Sequence, residues 1–383
     1  MRRLLVLDTV NPSVILEEKI QNISEMTLQA ENLTLLVKAE DPLKVGLVKF
    51  TTNILRVWPS IGVAMDSQAK PSAKNGHQES STTSHSYAYH LRTVWLFTRN
   101  DLKSIVFPET AFGIFSALSG PVLTTSAYPD VLAILARLPI VLLWCWINVL
   151  IFDVANQRLK TSVVEDSVNK PWRPLPSERL SRRQARRFLL LVVPLGFLAT
   201  LYIGGMEETV AMMALTWMYN DLRGADESYL VRNLINACGF VCYSSGATRV
   251  ACGHGHCSLN SVAFQWLFIV GSIVFTTLQM QDMADQEGDK ARDRGTLPLV
   301  HGDWAARWTI AIPVGFWSVA CPLFWQLHAF IFLVPAALGG LVSFRIILCR
   351  SVDSDKATWK LWNLWISSLY LLPLVKYLML ATY

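Results

Sequence analysis

The sequence predicts an all-α integral membrane protein, a bundle of about nine transmembrane helices. Three observations carry this expectation. Only 16% of the 383 residues are charged and 52% are hydrophobic, against about 25% charged in ordinary soluble domains. Such a chain lacks the polar side chains to cover a water-facing surface, and its mean hydropathy is +0.33. Beyond Lys103 it runs as apolar blocks parted by short polar breaks, several of them meeting the roughly 17–25 residues that cross a bilayer core. The basic residues collect in alternate breaks. Collagen, coiled coil, disulfide scaffold and disorder are excluded as whole-chain classes, and a net charge of +5 is too modest to indicate a nucleic-acid partner.

The elements follow in order. Residues 1–39 mix short apolar stretches with Glu, Asn and Gln. The run Leu4-Leu5-Val6-Leu7 is too short for a secretory signal, and Asp8 interrupts it. Residues 43–58 carry Lys44, Lys49 and Arg56 among apolar positions, as a weak amphipathic or interfacial segment does. Residues 67–86, rich in Ser, Thr, Gly, Lys and His, read as a polar linker. The sequons at Asn22 and Asn32 matter only if this end is luminal. Residues 1–90 are therefore expected as a partly disordered N-terminal segment and linker, and 91–383 as the transmembrane domain. Its apolar blocks are 104–123, 131–152, 188–204, 209–219, 229–248, 261–281, 308–324, 327–344 and 361–380. The fourth is short, and the seventh and eighth nearly fuse.

Lysine and arginine placement sets the expected orientation. The breaks after blocks 2, 4, 6 and 8 hold nine basic residues between Arg158 and Arg187, then Arg223, then Lys290, Arg292, Arg294 and Arg307, then Arg345, Arg350, Lys356 and Lys360. The opposite side has Arg249 and Lys376. The basic face and the N-terminus are thus expected in the cytoplasm.

The acids gather on that same face. Asp282, Asp285 and Asp289 stand at i, i+3 and i+7, which on a continuous helix puts three carboxylates on one side. Unpaired they repel, so they call for a cation. Oxygen-only ligands favour Mg²⁺, which binds through a few carboxylates plus substrate phosphates. Lys290, Arg292 and Arg294 follow closely and suit phosphate oxygens; a solvated, self-neutralising helix end is the plainer alternative. A second cluster runs from Asn148, Asp153, Asn156, Gln157 and Arg158 to Glu165-Asp166 and Asn169-Lys170-Pro171-Trp172-Arg173-Pro174-Leu175-Pro176. Inside the blocks, Glu109, Arg137 and Arg232 are costly in lipid and are expected to face the bundle interior or sit near an end. Arg232, about one turn past a basic break, is the best placed of them for a diphosphate contact. Trp144, Trp146, Trp217, Trp266 and Trp317 are available to line a cavity or simply to pack. The set Cys252, His254, His256 and Cys257 is compatible with a plain loop, a Cys252–Cys257 disulfide in an oxidising lumen, or zinc.

Asp282-x-x-Asp285-x-x-x-Asp289 followed by Arg294-Gly295-Thr296-Leu297-Pro298 resembles the second aspartate-rich motif of the UbiA superfamily of intramembrane prenyltransferases. Asn156 with Arg173-Pro174-Leu175-Pro176-Ser177 is similar to that superfamily's first motif. The resemblance covers roughly 92–383 and implies a UbiA-like bundle of nine helices. It also implies Mg²⁺ held by the two motifs, with Asp282, Asp285, Asp289, Asn156, Glu165 and Asp166 as ligands, and an allylic diphosphate met by Arg173, Arg232, Lys290, Arg294 and Tyr219. The first motif departs from the pattern. Gln157 and Lys160 stand where acids are expected, and the last acid position falls on Val164 beside Glu165 and Asp166.

That altered motif, with Leu96-Phe97-Thr98-Arg99, Phe107-Pro108-Glu109-Thr110, Tyr219-Asn220-Asp221-Leu222 and Arg232-Asn233, resembles the fungal branch of membrane-bound terpene cyclases. The implied activity is Mg²⁺-dependent ionisation of farnesyl diphosphate and closure to a bergamotene-like sesquiterpene, in the endoplasmic reticulum membrane. An aromatic prenyltransferase with a phenolic acceptor is the alternative on the same fold. A transporter has little support, because the charges gather at one face and not at the midplane.

Overall fold

The computed structural model describes residues 86–253 and 257–382; the expectations for residues 1–85, and for His254 and His256 as ligands, lie outside them. Helix α1 (Tyr87–Thr98) precedes the apolar blocks, and a π-helical stretch, Leu102–Val106, leads into α2 (Phe107–Leu118). A short helix, Val131–Ala136, leads into α3 (Leu138–Gln157), followed by α4 (Lys160–Asn169), α5 (Arg182–Ile203), α6 (Met206–Asn220) and α7 (Tyr229–Cys252). Then come α8 (Ser261–Thr277), the short helices α9 (Gln286–Ala291) and α10 (Leu297–His301), and finally α11 (Asp303–Phe324), α12 (Leu333–Leu348), α13 (Val352–Tyr370) and α14 (Leu372–Ala381). Every apolar block falls on helix. Among the described residues, five segments are long and apolar enough to cross a membrane: Leu138–Gln157, Arg182–Ile203, Ser261–Met283, Ala329–Leu348 and Val352–Ala381.

Local chemistry explains the boundaries. Ser181 and Gln184 form a reciprocal capping box at the start of α5. Ser228 caps α7 and Asn260 caps α8, each accepting a backbone N–H of the first turn. Prolines occupy the first turns of α2, α3 and α14, where no helical N–H partner is lost.

Helix α7 is the centre, packed against α2, α3, α6 and α8. A Cβ on Gly113 of α2 would lie 2.6 Å from the Ala247 carbonyl of α7, so only glycine lets these two backbones touch. Two apolar cores flank this seam. One holds Trp266, Trp362, Trp365, Phe112 and Tyr370; the other holds Trp144, Cys145, Tyr243 and Ile114. The Trp365 and Trp362 N–H groups donate to Ser318 (2.8 Å) and Thr277 (3.1 Å), the pairing that buried indoles need. Trp144 and Trp266 are core residues, Trp146 and Trp317 are half-buried, and Trp217 is exposed. Outside, Leu190, Phe268, Ile312 and Leu333 expose 64–76% of their area, an apolar surface suited to lipid and not to water.

The ends differ. The basic breaks meet at one end, where Arg158 pairs with Asp221 (2.6 Å), Arg292 with Asp226 (2.9 Å) and Arg307 with Asp355 (2.9 Å). At the other end Arg249 pairs with Glu207 and Glu208, and Arg137 donates from Nε to the Val250 carbonyl (2.6 Å). There the loop after α7 is closed by a Cys252–Cys257 disulfide.

Candidate active site

The first acid comes from the end of α8, which tightens into a 3-10 turn, Leu278–Met283. Asp282 lies in that turn, buried, and Arg232 near the start of α7 meets both of its carboxylate oxygens, one at 2.6 Å. Each charge makes the other's burial tolerable.

The chain then turns at Ala284 and Asp285 before α9 begins. The continuous helix that the i, i+3, i+7 spacing predicts is therefore not formed. Asn169, at the end of α4, stabilises the break by standing in for backbone partners. Its Nδ2 donates to the Asp285 carbonyl (2.9 Å), and its Oδ1 accepts the Gly288 N–H (3.1 Å). A Cβ on Gly288 would sit 2.2 Å from Asn169 Nδ2, so the contact needs glycine. As a result Asp285 leaves the face of Asp282 and Asp289 and meets Lys170 Nζ at 2.5 Å. It borders a separate cavity of about 310 Å³ whose lining includes Asp303, Arg307, Arg350 and Lys356.

Helix α4 brings the second arm. Arg292 donates to Ser162 Oγ and Glu165, both at 2.9 Å, and pairs with Asp226 at 2.9 Å. Arg294 lies 3.4 Å from Glu165, 3.5 Å from Asp289 and 3.6 Å from Asp226. Burial alone would raise Glu165, but Arg294, Lys170 and Arg292 outweigh it and hold its carboxyl down to about 2. Asp289 has the opposite fate: burial, with the charge of Asp282 beside it, pushes it up to about 7. Arg173 pairs with Asp166 at 2.8 Å and lies 3.9 Å from Asp101. Burial still raises Asp166 against the pull of Arg173 and Lys170.

The remaining predicted residues fall at the margins. Asn156 donates to Asn220 Oδ1 (2.9 Å), and Tyr219 is buried with its ring against Phe152, within electrostatic reach of Arg294. Lys290 is exposed, outside the buried cluster. The structure thus joins Asp282 with Arg232, Asp289 with Arg294 and Glu165, and Asp166 with Arg173, and it sets Asp285 apart. Sequence reasoning missed Asp226 and Asp101. Both lie in polar breaks on the basic face, which is the signal that points to them.

The magnesium implied by the motif can be tested against these groups. Asp289 Oδ2 and Asp166 Oδ2 are buried with no hydrogen-bond partner, so oxygen donors are available. Among the described residues, however, no three His, Cys, Asp or Glu side chains are arranged to hold a metal, because basic side chains occupy most of the carboxylates. This donor set fits a hard cation bound through one or two carboxylates and completed by substrate oxygens, and not a protein-only cage.

Known proteins share this architecture. The chain is 30% identical over 293 residues to the fumagillin β-trans-bergamotene synthase of Aspergillus fumigatus, covering 74% of this chain and 92% of that one. It is 29% identical over 278 residues to the somaliensene A/B synthase of Streptomyces somaliensis, covering 71% and 88%. Among solved structures it is similar in fold to a UbiA homolog from Archaeoglobus fulgidus bound to GPP and Mg²⁺. That TM-score is 0.52 at 11% identity, covering 76% of this chain and 100% of that one. Residues 106–367 match the UbiA prenyltransferase family. That stretch contains both polar arms and most of the helical bundle, and the chain belongs to this family, whose members act on prenyl diphosphates.

Proposed function

We propose that the protein is a membrane-bound terpene cyclase that ionises farnesyl diphosphate and closes it to a sesquiterpene of the bergamotene kind. The observation that carries this reading is the buried Arg232–Asp282 pair, with Asp289 and Arg294 beside it, at the polar end of an apolar bundle. Similarity along 92% of a bergamotene synthase supports it, as does a first motif in which Gln157 and Lys160 replace acids.

The chain's own groups divide the work. Asp282 and Asp289 would hold magnesium, with Asn156 at the rim. When bound, that ion neutralises charge on the departing diphosphate. Arg232, Arg294 and Arg173 then donate to its oxygens, favouring the charge that develops as the C–O bond breaks. The two cores exclude water from the allylic cation, so the substrate's own double bonds are its only nucleophiles. An aromatic prenyltransferase would need a phenol in the same space.

The same reading puts the basic end and the N-terminus in the cytoplasm of the endoplasmic reticulum membrane, with 91–383 as the catalytic domain and residues 1–90 as an appendage to it. The test is direct. Microsomes containing the protein receive farnesyl diphosphate and Mg²⁺ without any acceptor, and the extract is analysed for volatile hydrocarbons. A cyclic sesquiterpene is expected, and Asp282→Ala abolishes it. No product until a phenol is added, and a prenylated phenol thereafter, overturns the cyclase reading in favour of the transferase.

A further inference from the structure

Between the two apolar cores lies a polar seam that the ionisation site does not use. Glu109, on the first turn of α2, is fully buried. Its two carboxylate oxygens accept from different helices: Ser244 Oγ of α7 donates to one at 2.7 Å, and Tyr370 Oη of α13 to the other at 3.0 Å. The carboxyl is thereby held between two helices, with a hydroxyl on each of its oxygens. Among the described residues no ion pair involves Glu109. A buried carboxylate without a cation is costly, and neither core requires one here.

Two further observations bear on the seam. The neighbouring Thr110 Oγ1 is buried without a hydrogen-bond partner. Ser244 also stands twelve residues beyond Arg232 on the same helix, about 18 Å at the helical rise. The carboxylate therefore sits well below the ionisation site, among Tyr370, Phe112, Tyr243 and Trp144, at a depth suited to the hydrocarbon tail of a prenyl diphosphate held by its head at Arg232.

We propose that Glu109 is the base that ends the reaction, taking the proton whose loss turns the last carbocation into an alkene. This rests on the cyclase reading and names a catalytic residue within it. The diphosphate leaves with the C–O electron pair, and the substrate's double bonds form the new C–C bonds. A C–H bond beside the final cationic carbon then breaks, its electron pair becoming the C=C bond and its proton passing to Glu109 Oε. That proton leaves with the diphosphate on product release, so one prenyl diphosphate gives one cyclic hydrocarbon and one protonated diphosphate. Ser244 and Tyr370 are positioning residues that aim the carboxylate.

The readout is cyclic hydrocarbon formed per diphosphate released, measured with farnesyl diphosphate in purified, detergent-solubilised protein. Glu109→Gln keeps the shape but cannot accept the proton, and the ratio is expected to fall at least tenfold, with acyclic or hydroxylated products in its place. Glu109→Asp should recover part of it. If Glu109→Gln fails to fold, Tyr370→Phe is read in the same way, with a fall of at least threefold. A ratio and product spectrum equal to the parent's in the folded variant overturns the proposal. A parent that makes no hydrocarbon at all overturns the cyclase reading instead, so the two failures are distinct.

Discussion

Arg232 grips both oxygens of Asp282 across 50 residues of sequence, with each side chain almost wholly removed from solvent. The pair joins the start of α7 to the end of α8 and fixes the acid that opens the second motif. Removing one member leaves a buried charge alone. Arg232→Ala is expected to lower stability by about 3–5 kcal/mol and turnover by about a hundredfold or more. Thermal unfolding in detergent and diphosphate release would measure the two effects. Arg232→Lys should recover little, since an ammonium cannot match the forked contact.

The Gly288–Asn169 contact gives a separate prediction. Gly288→Ala pushes a methyl into the Asn169 amide, which sits 2.2 Å from where the Cβ would lie. The break before α9 then loses the amide that bridges Asp285 and Gly288, and Asp289 shifts with it. Activity should drop at least tenfold while the bundle stays folded. Wild-type activity in Gly288→Ala would show that the two arms need no such close contact.

Glu165 carries a pH signature. Arg294, Lys170 and Arg292 overcome burial and hold its carboxyl down to about 2 from an ordinary 4.5. A depressed carboxylate contributes stability that is fully present above 4.5 and lost as pH falls toward 2. Glu165→Gln should therefore cost on the order of 3 kcal/mol at neutral pH, and the gap to the parent should narrow below pH 4.5. Melting curves from pH 7 to pH 3.5 check the sign: a gap that widens on acidification contradicts it.

The disulfide lies at the end of the bundle remote from the acids. Cys252→Ser with Cys257→Ser should lower stability by about 2 kcal/mol, the value expected for so short a loop, with turnover unchanged. Because such bonds persist in oxidising compartments, thiol labelling of sealed microsomes also reports which side that end faces. Labelling of Cys252 and Cys257 themselves, distinguished from the free Cys238, Cys242 and Cys349, only after reduction and permeabilisation is the outcome expected of a luminal loop.

Hydropathy made the helices legible, because each apolar block must satisfy its backbone internally, and the uneven lysine and arginine pattern foretold that the basic breaks gather at one end. The spacing of Asp282, Asp285 and Asp289 was misleading. Periodicity assumes an unbroken helix, and the break at Ala284–Asp285 depends on an amide from Asn169, 116 residues earlier. Glu109 stood out as a costly charge in an apolar block, but its partners lie 135 and 261 residues away, beyond any local pattern. Asp226 was signalled only by its place in a polar break on the basic face; its partner Arg292 lies 66 residues further on, which no local pattern announces.

The ion pairs at the polar end have a consequence in charge stoichiometry. The carboxylates of Asp101, Asp153, Glu165, Asp166, Asp226, Asp282, Asp285 and Asp289 surround the basic groups of Lys170, Arg173, Arg232, Arg292 and Arg294, so acids outnumber bases. A diphosphate entering by itself would deepen that negative excess, and the arginines it needs are already engaged. On the proposed function, divalent cations arriving with it would offset that excess and compete with the arginines for the same carboxylates. The order of arrival would then be set by charge: a cation alone meets an excess of acid, whereas a diphosphate is admitted only in its company.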